Sequence, residues 1–174
     1  MRLFVALDFS PNEKSMILKN AEICKKSGVV GNYSRVENLH ITLAFLGEVE
    51  KSRLGIVKNA LNSVVNSPVE IQLGNFECFG DILVIRVENS DNLISLADGV
   101  RNELKKNGIA FDSKPFRAHI TLAREVKFPN GKKNDLLSQK VSPLRSVKNE
   151  IVLFESTRID GKLIYRKLHA KKLN

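Results

Sequence analysis

Two of the three histidines in this sequence begin the same five residues, His-Ile-Thr-Leu-Ala, once at His40 and again at His119. Imidazole has an ordinary pKa near ~6.5, so one member of a pair can be neutral while the other is protonated near neutral pH. Such a pair can take a proton from water and give one to a departing oxygen. The repeat therefore predicts acid–base catalysis, and in-line hydrolysis of a cyclic phosphodiester is a reaction that needs both groups.

Each repeat also carries a threonine two residues after its histidine. Alternate side chains of a strand share one face, so His40 lies with Thr42, and His119 lies with Thr121. If both strands face one cavity, the four side chains surround a phosphate, and the hydroxyls hold its nonbridging oxygens. This chemistry requires no cofactor and no metal. Two other interpretations remain open: core histidines needed only for packing, and a zinc site that includes His169, although no further ligand stands at suitable spacing.

Three further side chains near the repeats are candidates for substrate binding. Arg124 could pair with a phosphate, Phe45 could stack on a base, and Arg117 shares the face of His119. Strand alternation places Arg124 and Phe45 on the opposite face unless the strand bulges. The alternatives are a surface salt bridge for Arg124, a core position for Phe45 and a solvated rim position for Arg117.

Apolar runs and turn residues predict the elements that position these side chains. Ser10 and Glu13 form a capping box with Pro11 at the first helical position, and Gly28 can end that helix. Helices are also predicted around Leu54 to Val64, around Leu93 to Leu104 and, briefly, near Leu136. The predicted strands are residues 3–7, 39–46, 69–73, 82–87, 116–123, 151–154 and 163–168, with hairpin turns at Gly80-Asp81 and Asp160-Gly161.

The two halves of the sequence repeat the same order of elements. Strands that begin at Leu3 and Ile82 each precede a motif histidine by 37 residues, an offset of 79 throughout, and the helix starts agree within one residue. Internal duplication gives such a pattern. We therefore predict one bilobal α+β domain over residues 1–174, with two pseudo-symmetric lobes. Each lobe is a mainly antiparallel sheet flanked by helices, and a cleft lies between them.

The composition narrows the class of partner. Lys and Arg number 28 against 19 Asp and Glu, a net charge of +9, which favours anionic ligands. With no Trp and two Tyr, a long stacking platform for single strands is not indicated. Cys24 and Cys78 lack zinc or redox spacing and are interpreted as buried thiols. Asp8 interrupts the first apolar run, and no later run is long enough for a membrane span, so a cytoplasmic monomer is expected.

The motifs resemble those of the two-histidine phosphoesterases, whose signature is a pair of His-x-Thr/Ser-x motifs in symmetric lobes. Residues 2–6, 37–48 and 116–124 are similar to the RNA 2′,3′-cyclic phosphodiesterase branch, first called 2′-5′ RNA ligase. Residues 153–156 with Gly161 and Tyr165 resemble its closing segment, so the resemblance covers nearly the whole chain.

The resemblance implies hydrolysis of RNA 2′,3′-cyclic phosphate ends, or of cyclic nucleotides, to 2′-phosphates, with 2′-5′ joining as the reverse reaction. It also implies that His40 is the proton donor and His119 the acceptor. The sequence departs from the family at residues 33–36, where relatives carry an Arg-Trp pair, and at Ala118, where relatives often carry Pro. A non-catalytic module that binds RNA ends is the alternative function.

Overall fold

The computed structural model describes residues 1–174, which form nine strands and four α-helices. The elements in chain order are β1 (Arg2–Asp8), α1 (Pro11–Lys26), β2 (Val30–Tyr33), β3 (His40–Glu48), α2 (Leu54–Asn62), β4 (Val69–Phe79), β5 (Ile82–Val87), α3 (Asp91–Lys106), β6 (His119–Lys127), α4 (Lys133–Leu137), β7 (Arg145–Lys148), β8 (Glu150–Ile159) and β9 (Lys162–Lys172). Short 3₁₀ turns precede β3 and α2. None of the helices is both long and apolar enough to cross a membrane.

The strands form two sheets in which every neighbouring pair is antiparallel. The first sheet has the order β3-β1-β8-β9, and the second has the order β2-β6-β5-β4-β7. The predicted α+β architecture of two antiparallel sheets is confirmed, as is the hairpin from β4 to β5. The short edge strands β2 and β7 were not predicted, because they carry too few alternating residues to be recognised.

Each sheet is built from both halves of the chain. In the first sheet β1 pairs with β3 on one side and with β8, from the second half, on the other. In the second sheet β5 pairs with β6 on one side and with β4, from the first half, on the other. Each sheet therefore contains strands from both halves, and neither sheet corresponds to a continuous half of the sequence.

The helix ends follow the predicted capping chemistry. The Ser10 hydroxyl accepts a hydrogen bond from the Glu13 amide, and the Ser10 amide donates to the Glu13 carboxylate at 2.6 Å, which completes the capping box before Pro11. Gly28, with φ +83°, follows the end of the helix in the left-handed conformation that glycine tolerates. The helix therefore begins and ends where the sequence predicted.

Alternation along β1 separates the main core from the cleft. Leu3 and Val5 pack into the main core, whereas Phe4 and Ala6 belong to a small separate cluster on the other face of the sheet. Because both faces are covered, the sequence of β1 is continuously apolar and gives no sign of which face holds the site. Of the two cysteines, Cys24 is buried as predicted, but Cys78 is partly exposed, because it lies near the end of β4.

Strand pairing corrects one part of the predicted repeat. Asp8 lies opposite His40 in the β1–β3 pair, and Arg86 lies opposite His119 in the β5–β6 pair. Asp8 precedes its histidine by 32 residues and Arg86 by 33, so β1 and β5 are equivalent at an offset of 78. The offset of 79 holds between His40 and His119 but was wrong for these strands, since a run buried on both faces does not define its register.

Candidate active site

The same backbone contact holds both imidazoles. Nδ1 of His40 lies 2.6 Å from the carbonyl oxygen of Asn38, and Nδ1 of His119 lies 2.5 Å from the carbonyl oxygen of Arg117. A carbonyl oxygen only accepts hydrogen bonds, so Nδ1 carries the proton in each ring. Nε2 is therefore the nitrogen that can exchange a proton with a ligand. In His40 this atom lies 2.9 Å from the hydroxyl oxygen of Thr42.

The two histidines come from neighbouring strands of different sheets. The strands β3 and β6 contact each other between the sheets. His40 and His119 are partly exposed, as are the threonines that follow them, while Ile41 and Ile120 are buried on the opposite faces. The charge of His119 also contributes to lowering the pKa of His40. The structure thus brings the two motif strands into contact, each with its histidine and threonine on the partly exposed face.

A β-bulge occurs at the same motif position in both strands. Leu43 is the extra residue in the pairing of β3 with β1, and Leu122 is the extra residue in the pairing of β6 with β5. The backbone carbonyl oxygen of each extra residue accepts a hydrogen bond. Nε of Arg101 donates to the carbonyl of Leu43 at 3.2 Å, and the Ser34 amide donates to the carbonyl of Leu122 at 2.8 Å. The segment in which this sequence departs from the family pattern, residues 33–36, therefore supports the second motif strand.

The bulges decide where the residues beyond the motifs point. An extra residue reverses the alternation, so Phe45 and Arg124 lie on the cleft face with the histidines rather than on the opposite face. The charge of Arg124 acts on both His119 and Tyr165, which agrees with this placement. Arg117 also lies beside His119, but its guanidinium is already bound by another side chain.

That partner of Arg117 is Glu77, which also binds Arg86. The distances from the Glu77 carboxylate are 3.2 Å to Nη2 of Arg117 and 3.3 Å to Nε of Arg86. The Arg117 guanidinium lies 4.4 Å from the centre of the Phe79 ring, and that ring contacts His119 edge-on at 5.0 Å. The second motif histidine thus stands beside a cluster of charged side chains.

The electrostatic surroundings of His119 favour its neutral form. Burial is the largest cause that lowers its pKa, and the charges of Arg86, Arg124 and Arg117 lower it further. The hydrogen bond to the Arg117 carbonyl acts in the opposite direction. A neutral imidazole with Nδ1 protonated presents the Nε2 lone pair to the cleft, as a proton acceptor must.

His40 lies in an aromatic pocket instead. Its ring centre is 4.9 Å from that of Phe4, 5.2 Å from that of Tyr165 and 6.5 Å from that of Phe154. Burial lowers the pKa of His40 to about 4, although the carbonyl of Asn38 and the carboxylate of Asp8 both act to raise it. The opposed histidines therefore have different surroundings: aromatic rings and one carboxylate around His40, and three arginines around His119.

Comparison with known proteins gives a family for this arrangement. The model of the LigT like Phosphoesterase family matches the chain twice, over residues 21–88 and 85–165, so that each match contains one motif histidine. The chain belongs to the LigT-like phosphoesterase family.

Curated relatives and solved structures of LigT-like phosphoesterases cover nearly all of this chain. The RNA 2′,3′-cyclic phosphodiesterase of Archaeoglobus fulgidus is 36% identical over 144 residues, 79% of each chain. That of Methanocaldococcus jannaschii is 31% identical over 175 residues, 95% of this chain and 96% of the relative. The crystal structure of E. coli LigT in its apo form has a TM-score of 0.79 at 23% identity, covering 99% of this chain and 96% of LigT, which shows the same fold.

Sequence reasoning missed several residues of this LigT-like phosphoesterase site. Phe4 and Phe154 lie in apolar runs that look like ordinary core strands, so nothing marked them as walls of a cleft. Asp8 and Arg86 are opposite the histidines only because of strand register. Nη1 of Arg86 is also buried without a hydrogen-bond partner. Pairing register was the missing information in each case.

The low pKa of His40 can be observed by NMR in this LigT-like phosphoesterase. We expect the His40 imidazole to titrate at about pH 4 in the free protein. Added inorganic phosphate should raise the pKa values of His40 and His119, because an anion between the rings favours imidazolium. A pH titration of the ring ¹⁵N shifts measures this, with the distant His169 as the internal reference. Titration of His40 near pH 6.5 with no response to phosphate would contradict the proposed geometry.

Proposed function

We propose that this chain hydrolyses the 2′,3′-cyclic phosphate at an RNA end to a 2′-phosphate, without a metal ion, by acid–base catalysis of His40 and His119. The observation that carries the proposal is the pair of identical motif strands in contact between the sheets, each with its histidine Nδ1 bound to a backbone carbonyl. Nε2 is therefore the nitrogen of each ring that can transfer a proton, and in His40 it already lies 2.9 Å from the Thr42 hydroxyl. The curated relatives named RNA 2′,3′-cyclic phosphodiesterase support the substrate class.

In the proposed reaction, Nε2 of His119 removes a proton from water as the water oxygen attacks phosphorus. The bond from phosphorus to the ribose 3′-oxygen breaks, and Nε2 of His40 donates the proton that this oxygen needs. The products are a 2′-phosphate and a 3′-hydroxyl, with His119 protonated and His40 neutral, and exchange with solvent restores both rings. A proton transfer of this kind is typically worth about 10²–10⁴-fold in rate.

To act as the proton donor, His40 must be protonated when substrate is bound. In the free protein its pKa is about 4, but an anionic phosphodiester beside Nε2 stabilises imidazolium and raises that pKa. Asp8, opposite His40 on β1, acts in the same direction. The arginines beside His119 act in the other direction. The charges of Asp8 and of the arginines, in contrast to burial, therefore favour His40 as donor and His119 as acceptor.

The remaining side chains of the cleft have assigned roles in the proposal. The hydroxyls of Thr42 and Thr121 hold the nonbridging oxygens, and Arg124 offsets the negative charge of the phosphate. Phe45 offers a ring beside the nucleoside, and Arg117 lies at the rim. With a 5′-hydroxyl in place of water, the same attack would join two RNA ends through a 2′–5′ bond.

One assay tests the proposal directly. Adenosine 2′,3′-cyclic phosphate is incubated with the protein in excess EDTA, and the products are resolved by chromatography. We expect adenosine 2′-phosphate, formed at the same rate with and without the chelator. Formation of the 3′-phosphate, or loss of activity in EDTA with recovery on adding a divalent metal, would contradict the mechanism. Salt-dependent binding of RNA ends without product would instead identify a binding module.

A further inference from the structure

Arg2 and Tyr165 lie beside the aromatic pocket that holds His40. Arg2, Phe4, Ala6 and Asp8 share one face of β1 by alternation, and Phe4 contacts the His40 ring at 4.9 Å. Arg2 is therefore on the cleft side of the sheet. Its guanidinium lies 5.0 Å from the centre of the Phe45 ring, which stabilises its position by a cation–π contact.

Tyr165 connects this region to the catalytic pocket. Its ring contacts Phe4 at 4.8 Å and His40 at 5.2 Å, both edge-on. Burial raises the pKa of the Tyr165 phenol, while the charges of Arg124 and Arg2 lower it, so both guanidinium groups act on the same hydroxyl. These two arginines come from opposite sheets, and neither forms an ion pair with a carboxylate.

The surface around Asp8, at the opposite end of β1, offers no unpaired lysine. There, Asp8 binds Lys14 at 2.8 Å and Lys167 at 3.0 Å, and Glu13 binds Lys148 at 2.6 Å. These lysines line a cavity of about 830 Å³, but each is already paired. An anionic ligand that extends from the catalytic pocket therefore gains more at the Arg2 end.

We propose that Arg2 and the hydroxyl of Tyr165 bind a second phosphate of the substrate, the one on the 5′-oxygen of the nucleotide that carries the cyclic phosphate. The inference rests on the proposed function, which places the cyclic phosphate between the histidines. The Arg2 guanidinium lies over Phe45, which is paired with Phe4, and the Phe4 ring contacts the ring of His40. The second site is thus next to the catalytic pocket, so the terminal ribose spans the two sites while Arg124 serves the cyclic phosphate.

This second site defines the substrate class more narrowly. A nucleoside 2′,3′-cyclic phosphate fills only the catalytic pocket, whereas an RNA end also supplies the 5′-phosphate. The contact requires no particular base, because it is made to phosphate. The enzyme should therefore favour RNA ends over free cyclic nucleosides, without a strong sequence preference from this site.

The test compares two substrates that differ by one phosphate: adenosine 2′,3′-cyclic phosphate and its 5′-phosphorylated form. For the wild type we expect kcat/KM to be about tenfold higher with the 5′-phosphate, the size of effect that a charge-assisted hydrogen bond gives. Arg2→Gln should reduce this ratio to about one, and Tyr165→Phe should reduce it in part. Arg124→Gln, by contrast, should lower kcat/KM for both substrates.

The matched control is Arg166→Gln, which removes the same charge from an exposed guanidinium bound to Glu155. This variant should keep the wild-type ratio. In the wild type, the slope of log KM against the logarithm of the salt concentration should be greater for the 5′-phosphorylated substrate by about 0.7. This is the value for one extra phosphate contact to a single strand. Arg2→Gln should lose that difference.

Three outcomes would overturn the inference. They are a wild-type kcat/KM ratio of the two substrates near one, a ratio in Arg2→Gln that is unchanged from wild type, and a ratio in Arg166→Gln that falls as far as in Arg2→Gln. A gain seen with the dinucleotide ApA 2′,3′-cyclic phosphate but not with the 5′-phosphate alone would assign the contact to base stacking and would also overturn it. Turnover of the unphosphorylated substrate tests the proposed function by itself, so the two failures can be distinguished.

Discussion

Replacing His40 or His119 with alanine is expected to lower kcat for hydrolysis of a 2′,3′-cyclic phosphate by about 10²–10⁴-fold. Each imidazole presents Nε2 to the cleft from a ring fixed through Nδ1, and alanine removes that proton-transfer group without a replacement. Because the two rings act on one reaction, the double variant should lose much less than the product of the single losses. Single-turnover and steady-state rates at saturating substrate measure the effect.

The third histidine provides a matched control for that experiment. His169 lies on β9 away from the cleft, and its Nε2 is 2.8 Å from the Oδ1 of Asn62. His169→Ala removes an equal number of atoms and should retain wild-type kcat. Full activity in either His40→Ala or His119→Ala, with the fold intact by circular dichroism, would end the proposed mechanism.

A second large effect is expected on stability from Glu13→Gln. Glu13 completes the capping box of α1, and its carboxylate also binds Nζ of Lys148 at 2.6 Å and the hydroxyl of Ser146, both on β7. Lys148 is only 8% exposed. The amide would leave this ammonium buried without a counter-charge, which costs about 3 kcal/mol in the free energy of unfolding. Urea denaturation at pH 7 measures it.

The pH dependence of the same measurement identifies the carboxylate as the cause. Burial of Glu13 opposes ionisation, but hydrogen bonds from Lys148, Ser146 and Ser10 together lower its pKa from 4.5 to about 2. The stabilisation is therefore complete above pH 4.5 and is lost as the pH falls through 2. The difference between wild type and Glu13→Gln should shrink over that interval. Glu22→Gln, an exposed residue of the same helix paired with Lys25, should change stability by less than about 0.5 kcal/mol.

Local chemistry made much of this molecule predictable from sequence. The capping box at Ser10 and Glu13 defined the start of α1, because the side chains and backbone groups that satisfy a helix end lie within four residues. The turn at Asp160 and Gly161 was equally local, and both residues have positive φ. The repeated motif located His40 and His119, since identical strands in a duplicated order of elements imply equivalent positions.

What could not be predicted depends on pairing between distant strands. The bulges at Leu43 and Leu122 follow from register with β1 and β5, and nothing in His-Ile-Thr-Leu-Ala marks them. Without them, alternation put Phe45 and Arg124 on the wrong face. The charges opposite the histidines, Asp8 and Arg86, needed the same information. Internal duplication, cytoplasmic location and a monomeric state remain predictions.

The pairing of β1 with a strand from the second half of the sequence affects how the chain folds. Arg2 to Ala6 of β1 pair with Ser156 to Val152 of β8, so the first strand pairs with a segment that is synthesised much later. On the ribosome, β1 can pair with β3 early but must leave its other edge open until β8 has been synthesised. Contacts between residues so far apart in sequence slow folding. Until β8 is available, the open edge of β1 can pair with a strand of another copy.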